Sequence, residues 1–493
     1  MKKGIALNIT FIPTNKTMEL KLTAPAEANV SDIKRIFDAQ QANHMKVGNS
    51  TAAERKAKLL RLNEVMEKYR PQIKEAMYKD YRKNPSEVDL TEVYPVTSEI
   101  RHARKKLTRW MGKQHISTPL ALLGSSSYVR YEPKGVVLII SPWNFPFNLT
   151  FGPLVSAIAA GNTVMIKPSE MTPHSSALMV KMIGELFNEN EVAVIEGGKD
   201  TSTELLALKF DHIFFTGAPS IGKIVMAAAA KHLASVTLEL GGKSPTIVDE
   251  TADVKMAATR IAWGKWLNNG QVCIAPDYVF VHESKKAEFV AEVNKASKQF
   301  YTENASENSS YARIVNQHHF NRVKSYVDDA VAKGAIVESG AQFDEVQNYI
   351  SPTVLTNVSN DSKLMTNEIF GPIMPIFTFN HVDEAITQIN AREKPLALYI
   401  YSKSNKNINH ILANTRAGGG CINHNSIHFF NSNLPFGGAN NSGIGKGHGM
   451  SGFKAFSNAR GILKQHIPNA LDLLVPPYTN FSQKLIDLTI KWF

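Results

Sequence analysis

The first third of the chain has its hydrophobic residues at helical spacing. The sequence TAAE, from Thr51 to Glu54, fits a capping box at a helix start. In a capping box the side chains of the first and fourth residues each accept the other residue's backbone N–H. Leu59, Leu62 and Met66 then recur three and four residues apart, which places them on one helix face. This pattern predicts that the first third of the protein is mainly helical.

From residue 135 onward, short apolar runs alternate with segments of helix length. Four runs are continuously apolar, as buried parallel strands are: 135–140, 163–166, 192–195 and 212–215. A second series extends to about residue 430 and begins with 236–238, 245–248 and 278–281. Strands that alternate with helices are typical of βαβ units in a doubly wound sheet. The sequence therefore predicts an α/β protein with two lobes, followed by a glycine-rich tail at 437–452.

The composition is that of an ordinary globular protein. Of the 493 residues, 43% are hydrophobic and 20% are charged, which favours folded domains over disorder or coiled coil. The formal net charge is +11, but the basic residues are spread along the chain. The densest basic run, at 101–109, is typical of the solvated face of a helix. We therefore expect no nucleic-acid partner.

Cysteine content and apolar stretches bear on the location of the protein. Its two cysteines are too few for a secreted disulfide scaffold, so we expect a reducing, cytoplasmic location. The apolar run at 4–12 is a weak match to a signal peptide, because Asn8 and Thr10 interrupt it and no cleavage site follows. No apolar stretch approaches the roughly 20 residues needed to span a bilayer. We interpret residues 1–30 as an N-terminal extension.

Gly217 and Gly222 lie between a predicted strand and a predicted helix. The sequence GAPSIGK has the spacing of a phosphate-binding P-loop, but Ile224 follows where a Ser or Thr hydroxyl would hold Mg²⁺. An ATPase is therefore disfavoured, whereas backbone N–H groups at the helix start could still bind the pyrophosphate of a dinucleotide. A GxGxxG motif at 447–452 follows no predicted strand, and we interpret it as coincidence.

Polar residues follow two of the predicted buried strands. Asn144 stands between Pro142 and Pro146, where it is either a turn residue or a functional amide. Lys167 and Glu170 are spaced so that they suit the two hydroxyls of a ribose, although a salt-bridged loop would give the same pattern.

Glu239 and Cys273 are the candidates for acid–base and nucleophilic chemistry. Leucines flank Glu239, so burial would raise its pKa and make it a usable base; the alternative is a buried ion pair with a lysine. Cys273 follows a glycine turn at 269–272 that could present its thiol. The alternative for any single cysteine is an inert core position, for which we take Cys421 as the example.

Together these residues form a pattern that resembles the aldehyde dehydrogenase superfamily, most of all its class 3 and fatty-aldehyde branch. The resemblance covers about residues 30 to 480 and rests on nine motifs in the family's order. They are PWNFP (142–146), KPSE (167–170), FTG (215–217), LELGGKSP (238–245), GQVC (270–273), APDY (275–278), EIFGP (368–372), EKPLALY (393–399) and LPFGG (434–438). APDY, EKPLALY and His428 ahead of LPFGG favour the class 3 branch.

The resemblance assigns a role to each candidate residue. Cys273 corresponds to the family's nucleophile, Glu239 to its general base and Asn144 to the amide that stabilises the oxyanion. The cofactor contacts correspond to Trp143, Lys167, Glu170, Gly217, Gly222, Glu368 and Phe370. Among them, Lys167 and Glu170 match the adenosine-ribose contacts, and Glu368 and Phe370 match residues at the nicotinamide ribose and ring. At position 218 this chain has alanine where many relatives carry a polar residue, so the phosphate contacts are left to backbone N–H groups. The resemblance implies no metal site.

The resemblance also implies a fold and an activity. The expected fold has a Rossmann-like cofactor domain and an α/β catalytic domain with a small β oligomerisation element. The expected divisions are 31–238 for the cofactor domain with a β arm at about 120–134, 239–430 for the catalytic domain, 431–460 for the oligomerisation element and 461–493 for a tail. The expected activity is oxidation of medium- or long-chain aliphatic or aromatic aldehydes with NAD, with NADP also usable. A CoA-acylating or semialdehyde dehydrogenase, or a non-enzymatic member, is the alternative.

Two expectations concern assembly and the C-terminus. The class 3 relatives pair through a β arm, here 125–131, so we expect a homodimer. After Pro477, Asn480 can cap a helix whose apolar residues recur on one stripe: Phe481, Leu485, Leu488 and Trp492. This helix would pack on its own subunit or on the partner. The alternatives are that it lies over the substrate entrance, as in fatty-aldehyde dehydrogenases, or that it contacts a membrane surface.

Overall fold

The structure is a computed structural model that describes residues 26–468, 472 and 474–492. Within these residues the helices are α1 (Val30–Gly48), α2 (Ala52–Lys68), α3 (Arg70–Tyr81), α4 (Pro85–Val88), α5 (Tyr94–Met111), α6 (Asn148–Ala160), α7 (Pro173–Leu186), α8 (Lys199–Ala207), α9 (Pro219–Ala230), α10 (Val254–Trp266), α11 (Lys286–Tyr301), α12 (Gln317–Ala332), α13 (Lys363–Thr366), α14 (Val382–Asn390), α15 (Asn405–Asn414), α16 (Gly449–Ala455) and α17 (Asn480–Trp492).

The strands of the same residues are β1 (Gln114–Ile116), β2 (Ser125–Pro133), β3 (Val136–Ile140), β4 (Thr163–Lys167), β5 (Val192–Val194), β6 (His212–Gly217), β7 (Ser235–Leu240), β8 (Pro245–Val248), β9 (Tyr278–His282), β10 (Ile336–Ser339), β11 (Phe343–Asp344), β12 (Tyr349–Ile350), β13 (Thr353–Thr356), β14 (Ile373–Phe379), β15 (Ala397–Tyr401), β16 (Gly419–Ile422), β17 (Gly443–Ile444) and β18 (Ser457–Gln465).

The helical start of the chain follows the predicted pattern. The Thr51 side chain accepts the backbone N–H of Glu54, and the Glu54 carboxylate accepts that of Thr51, so the predicted capping box begins α2. Leu59, Leu62 and Met66 are fully buried on the inner face of this helix. Most of the predicted N-terminal extension, including the apolar run at 4–12, lies outside the described residues.

A six-stranded sheet forms the first lobe, in the order β17-β7-β6-β3-β4-β5. Strands β3 to β7 pair in parallel, and each of the first four predicted apolar runs falls on one of them. Two hydrophobic clusters cover the two faces, one with α2, α3, α5, α6 and α7, and the other with α1, α8 and α9. This is the predicted doubly wound arrangement, in which loops at the carboxyl ends of the strands form the ligand crevice.

A seven-stranded sheet forms the second lobe, in the order β10-β13-β14-β9-β8-β15-β16. Its neighbours are parallel except for the edge pair β10 and β13, which is antiparallel. The glycine-rich tail returns to the first lobe, because β17 adds to the edge of the first sheet and pairs Gly443 with Glu239. The two predicted α/β lobes are confirmed, and the tail joins them.

The third sheet has the order β1-β2-β18, and its central strand β2 lies in the segment expected to form a β arm. Strand β2 pairs with β18 in antiparallel register from Ser125 opposite Gln465 to Pro133 opposite Ser457. The expected domain boundaries at 238 and 460 fall inside β7 and β18, because strand pairing continues across both positions.

The C-terminal helix α17 begins one residue earlier than its predicted cap requires. The expectation that Asn480 caps the helix is wrong: the Thr479 hydroxyl accepts the backbone N–H of Ser482 at 3.2 Å, so Thr479 is the cap and Asn480 is helical. The apolar side chains Phe481, Leu488 and Trp492 are exposed. Over the parts of the chain that the structure describes, no helix has the length and apolar character to cross a membrane.

Candidate active site

A cavity of about 310 Å³ lies between the two lobes, where the carboxyl ends of their strands meet. Its wall includes seven of the residues to which the resemblance assigned a role: Trp143, Asn144, Gly217, Glu239, Cys273, Glu368 and Phe370. Their neighbours Ala218 and Gly241 are also part of the wall. The structure thus brings together residues from both halves of the chain. Cys421 is not part of this wall; it lies on β16 with its Sγ atom 3.4 Å from Nδ1 of His428.

A left-handed backbone run presents Cys273 to the cavity. Asn268, Asn269 and Gly270 have φ values of 50°, 56° and 72°, a conformation that asparagine and glycine adopt most easily. At Gly270 a Cβ atom would stand 2.2 Å from the carbonyl oxygen of Gly371, so only glycine fits there. Removal from bulk water, together with the carboxyl groups of Glu368 and Glu239, raises the pKa of the Cys273 thiol to about 12. The resting thiol is therefore neutral.

Asn144 is fixed by hydrogen bonds beside the loop that carries Cys273. Its Nδ2 donates to the carbonyl of Gln271 at 3.0 Å, which directs the amide toward the segment that carries Cys273. Its own backbone carbonyl accepts the Tyr81 hydroxyl at 2.8 Å and Nδ2 of Asn268 at 2.9 Å. The two loops are thereby tied together, and Tyr81 and Asn268 are functional neighbours that sequence reasoning missed.

Glu239 lies near the end of β7 with its carboxyl group in the cavity wall. Neither of its carboxylate oxygens has a hydrogen-bond partner within the described part of the chain. Burial raises its pKa to about 8, against the positive charge of Lys446, which acts in the opposite direction. A carboxyl group with a pKa near neutrality and free oxygens is suited to take a proton from water.

Beyond Gly217 and Ala218 of the wall, the segments that follow β6 and β4 have the features of a dinucleotide site, although Gly222, Lys167 and Glu170 are not wall residues. Helix α9 begins directly after β6, and no side chain caps its first N–H groups, which remain available to a pyrophosphate. A Cβ atom at Gly222 would stand 2.7 Å from Cδ2 of Leu240, so this glycine lets α9 pack closely on β7. Lys167 ends β4, and its Nζ lies 2.8 Å from the Glu170 carboxylate. These residues fit a dinucleotide.

Glu368, Phe370 and Trp143 form the part of the wall between this site and Cys273. Burial and the nearby Asp277 raise the pKa of Glu368 to about 8. Phe370 has a φ of 44°, and its ring meets the Trp143 ring edge-on at 5.3 Å. Arg322 donates to the backbone carbonyls of 368, 369 and 370 at distances of 2.9 to 3.3 Å. Arg322 thus holds this loop, a role that no local sequence signal revealed.

Aromatic rings line the end of the cavity opposite the dinucleotide site. Phe429 packs on Phe436 at 5.0 Å, and Phe430 lies 5.9 Å from Tyr94 at the exposed entrance. Helix α17 contributes no side chain to the wall. Among the residues that the structure describes, no group of three or more His, Cys, Asp or Glu side chains is arranged as a metal site.

Comparisons with known proteins agree with this geometry. The model of the aldehyde dehydrogenase family matches residues 10–462. The chain is 42% identical over 452 residues to 4,4'-diaponeurosporen-aldehyde dehydrogenase of Staphylococcus aureus, covering 92% of this chain and 96% of that protein. It is 44% identical over 397 residues to the dimeric NADP-preferring aldehyde dehydrogenase of Mus musculus, covering 80% and 86%.

A solved structure agrees in fold as well as in sequence. The substrate-bound Staphylococcus aureus AldH superposes with a TM-score of 0.89 at 41% identity, covering 93% of this chain and 99% of that chain. Enzymes of this kind oxidise aldehydes to carboxylic acids with NAD or NADP. The family match extends over both lobes and over every residue of the cavity wall. The chain therefore belongs to the aldehyde dehydrogenase family.

Proposed function

We propose that Cys273, Asn144 and Glu239 carry out aldehyde oxidation in this enzyme as nucleophile, oxyanion donor and general base. The observation that carries the proposal is their common position on one cavity, between an aromatic entrance and a dinucleotide site. A thiol, an amide donor and a carboxyl group are the three functions that oxidation through a covalent thioester requires.

The chemistry gives each side chain a defined task. The Cys273 sulfur adds to the aldehyde carbon and forms a thiohemiacetal whose oxygen carries the developing negative charge. Asn144 Nδ2 and the backbone N–H of Cys273 donate to that oxygen, and one such donor contributes on the order of 3 kcal/mol. A bound nicotinamide supplies the hydride acceptor. The thiol proton leaves to solvent before addition, and Glu239 later takes a proton from the water that hydrolyses the thioester.

The cavity favours apolar aldehydes. Its entrance is walled by the rings of Tyr94, Phe429, Phe430 and Phe436, which stabilise flat or extended hydrocarbon groups through buried apolar area. We propose medium- and long-chain aliphatic or aromatic aldehydes as substrates. The Staphylococcus aureus relative is named for 4,4'-diaponeurosporen-aldehyde, which supports an aldehyde as the substrate of this chain.

The adenosine end favours NAD over NADP. Glu170 is about two-thirds buried and can accept hydrogen bonds from a ribose, but its charge would repel a 2′-phosphate. Lys167, in contact with Glu170, offsets part of that repulsion. We therefore propose that NAD is preferred and that NADP is used less efficiently.

Assembly as a homodimer and a cytoplasmic location complete the proposal. The dimer is supported by the exposed apolar residues of the three-stranded sheet, Ile116 and Leu463, and by the dimeric mouse relative. Two free thiols support a reducing compartment. We propose a cofactor domain around the first sheet and a catalytic domain around the second sheet, with the β arm and the segment 431–460 serving oligomerisation. For α17, packing on the partner is favoured by its exposed apolar stripe, with contact to the substrate entrance or to a membrane as alternatives.

A panel of aldehydes tested with each cofactor examines this proposal directly. We expect reduction of NAD, and more weakly of NADP, with aliphatic and aromatic aldehydes, and a free carboxylic acid as product. Cys273→Ala should abolish turnover and keep dinucleotide binding, whereas Cys421→Ala is the matched control and should remain active. Formation of acyl-CoA when CoA is added would instead identify a CoA-acylating enzyme. Equal losses in both cysteine variants would contradict the assignment of the nucleophile.

A further inference from the structure

Lys446 lies in the loop after β17, close to Glu239, and neither the motifs nor the proposed reaction uses it. Its Nζ donates to the backbone carbonyls of Gly437, Gly438 and Gly418, the last two at 3.0 and 3.3 Å. It forms no ion pair with any residue that the structure describes. The ammonium group is therefore held by carbonyl oxygens, and its charge is not neutralised by a carboxylate.

Gly437 is the point at which the lysine and the carboxyl group approach each other. A Cβ atom on Gly437 would stand 2.8 Å from Oε1 of Glu239 and 3.1 Å from Cδ of Lys446. Its φ of 146° also belongs to the region that side chains disfavour. Because Gly437 has no side chain, the Glu239 carboxyl group and the Lys446 side chain border the same small space. On its other side, Glu239 pairs with Gly443 of β17.

Other titratable groups face Glu239 from the elements around the cavity. Cys273 and Glu368 come from the two loops of the second lobe, and both are neutral or anionic. Glu99 on α5 and His448 at the start of α16 lie across the entrance, while His319 and Arg322 on α12 lie toward the dinucleotide site. The Arg322 guanidinium is bonded to backbone carbonyls of the Glu368 loop. Within the described residues, Lys446 is the cation whose Cδ adjoins the same position at Gly437 as Oε1 of Glu239, and its positive charge opposes the rise in the pKa of that carboxyl group.

We propose that Lys446 is a positioning residue whose fixed positive charge lowers the pH at which the buried Glu239 carboxyl group ionises and thereby sets the acid limit of thioester hydrolysis. This inference rests on the proposed role of Glu239 as the base of that step. Burial disfavours the carboxylate, and a nearby opposite charge restores part of its stability. Because the lysine is bonded to carbonyls and not to the carboxylate, both carboxylate oxygens stay free to accept a proton from water.

The test isolates thioester hydrolysis from the redox step. p-Nitrophenyl acetate acylates the Cys273 thiol and releases p-nitrophenol, and water then converts the acetyl thioester to acetate and the free thiol. No cofactor is needed, so the rate of the second step can be measured against pH from 5.5 to 9.5. The variants are Lys446→Met, which removes the charge, and Lys446→Gln, which removes the charge but keeps an N–H donor for the carbonyls. Lys446→Arg keeps the charge.

In both neutral variants we expect the acid limb of the pH profile of deacylation to lie about one pH unit higher. This shift corresponds to about a tenfold loss of the deacylation rate at pH 7. The rate at pH 9.5 and the release of the first equivalent of p-nitrophenol should stay close to those of the unaltered enzyme. Lys446→Arg should restore the limb, and Lys255→Met, an exposed lysine on α10, should leave it in place.

The outcomes separate this inference from the proposed function. A loss that is equal at all pH values, or an unshifted limb in Lys446→Gln with normal dinucleotide binding, overturns the role of Lys446. If Glu239→Gln deacylates at the normal rate, the proposed base itself is wrong, whatever Lys446 does. A shifted limb in both neutral variants with recovery in Lys446→Arg supports the fixed charge.

Discussion

Replacing Glu239 by glutamine should stabilise the folded protein while stopping turnover. The structure places this carboxyl group in a buried wall without a hydrogen-bond partner among the described residues, and burial raises its pKa from 4.5 to about 8. In the unfolded chain the same group ionises near its ordinary pKa. The folded state therefore binds a proton that the unfolded state has released, and stability falls as pH rises from 4.5 to 8.

The size of the effect follows from the pKa difference. At pH 7 the unfolded carboxyl group has gained about 3 kcal/mol by ionising, because each pH unit above its ordinary pKa contributes about 1.4 kcal/mol. Glutamine has nearly the same shape and cannot ionise, so Glu239→Gln removes this advantage of the unfolded state. The gain should be about 3 kcal/mol at pH 7 and under about 1 kcal/mol at pH 5. For a chain of this length, 3 kcal/mol corresponds to about 3 °C in Tm.

Calorimetry at fixed scan rate and protein concentration measures this gain between pH 5 and 9. Glu204→Gln, at an exposed position on α8, is the control and should leave Tm unchanged at every pH. In stopped flow, Glu239→Gln should still give a burst of reduced cofactor, because hydride transfer precedes thioester hydrolysis, but little steady-state turnover. A Tm difference that is absent or independent of pH would refute the argument that Glu239 is held neutral by burial.

Two further predictions concern the cofactor and the C-terminus. Glu170→Gln removes the charge that would repel a 2′-phosphate while Lys167 remains, so kcat/KM with NADP should rise several-fold relative to NAD; an unchanged ratio measured with both cofactors would show that Glu170 does not select between them. Truncation after Tyr478 removes α17, whose apolar stripe is exposed in the single chain. If α17 packs on the partner, light scattering should show that the truncated dimer dissociates at a higher protein concentration, while the preference for aldehyde chain length stays unchanged. An altered chain-length preference with an unchanged dimer would instead favour contact of α17 with the substrate entrance.

The sequence predicted the parts of the fold that depend on local patterns. Continuous apolar runs are found in strands that are buried on both faces, and β3, β4, β5 and β6 lie where those runs were. The capping box at Thr51 was equally local. At the C-terminus the local signal was ambiguous, because Thr479 and Asn480 are both good capping residues and only the hydrogen bond to Ser482 distinguishes them.

The contacts that shape the cavity could not be predicted from the sequence. Tyr81 bonds the Asn144 carbonyl, and Arg322 bonds the loop of Glu368, yet neither residue has a neighbouring motif that indicates such a role. Each contact joins segments that become neighbours only after both sheets have formed. The family resemblance supplied the roles proposed for Cys273 and Glu239, but Lys446 belongs to no motif, and only the fold brings its side chain and Glu239 to the same position at Gly437.

The short strand β17 also determines when the cavity becomes complete. It pairs Gly443 with Glu239, and its neighbours supply Phe436, Gly447 and His448 to the wall. A ribosome that has just added Cys273 needs roughly ten to thirty seconds more to reach His448. Throughout that interval the growing chain contains Cys273 without the segment that completes the wall around Glu239. Assembly of the wall therefore cannot be completed until residue 448 has been synthesised.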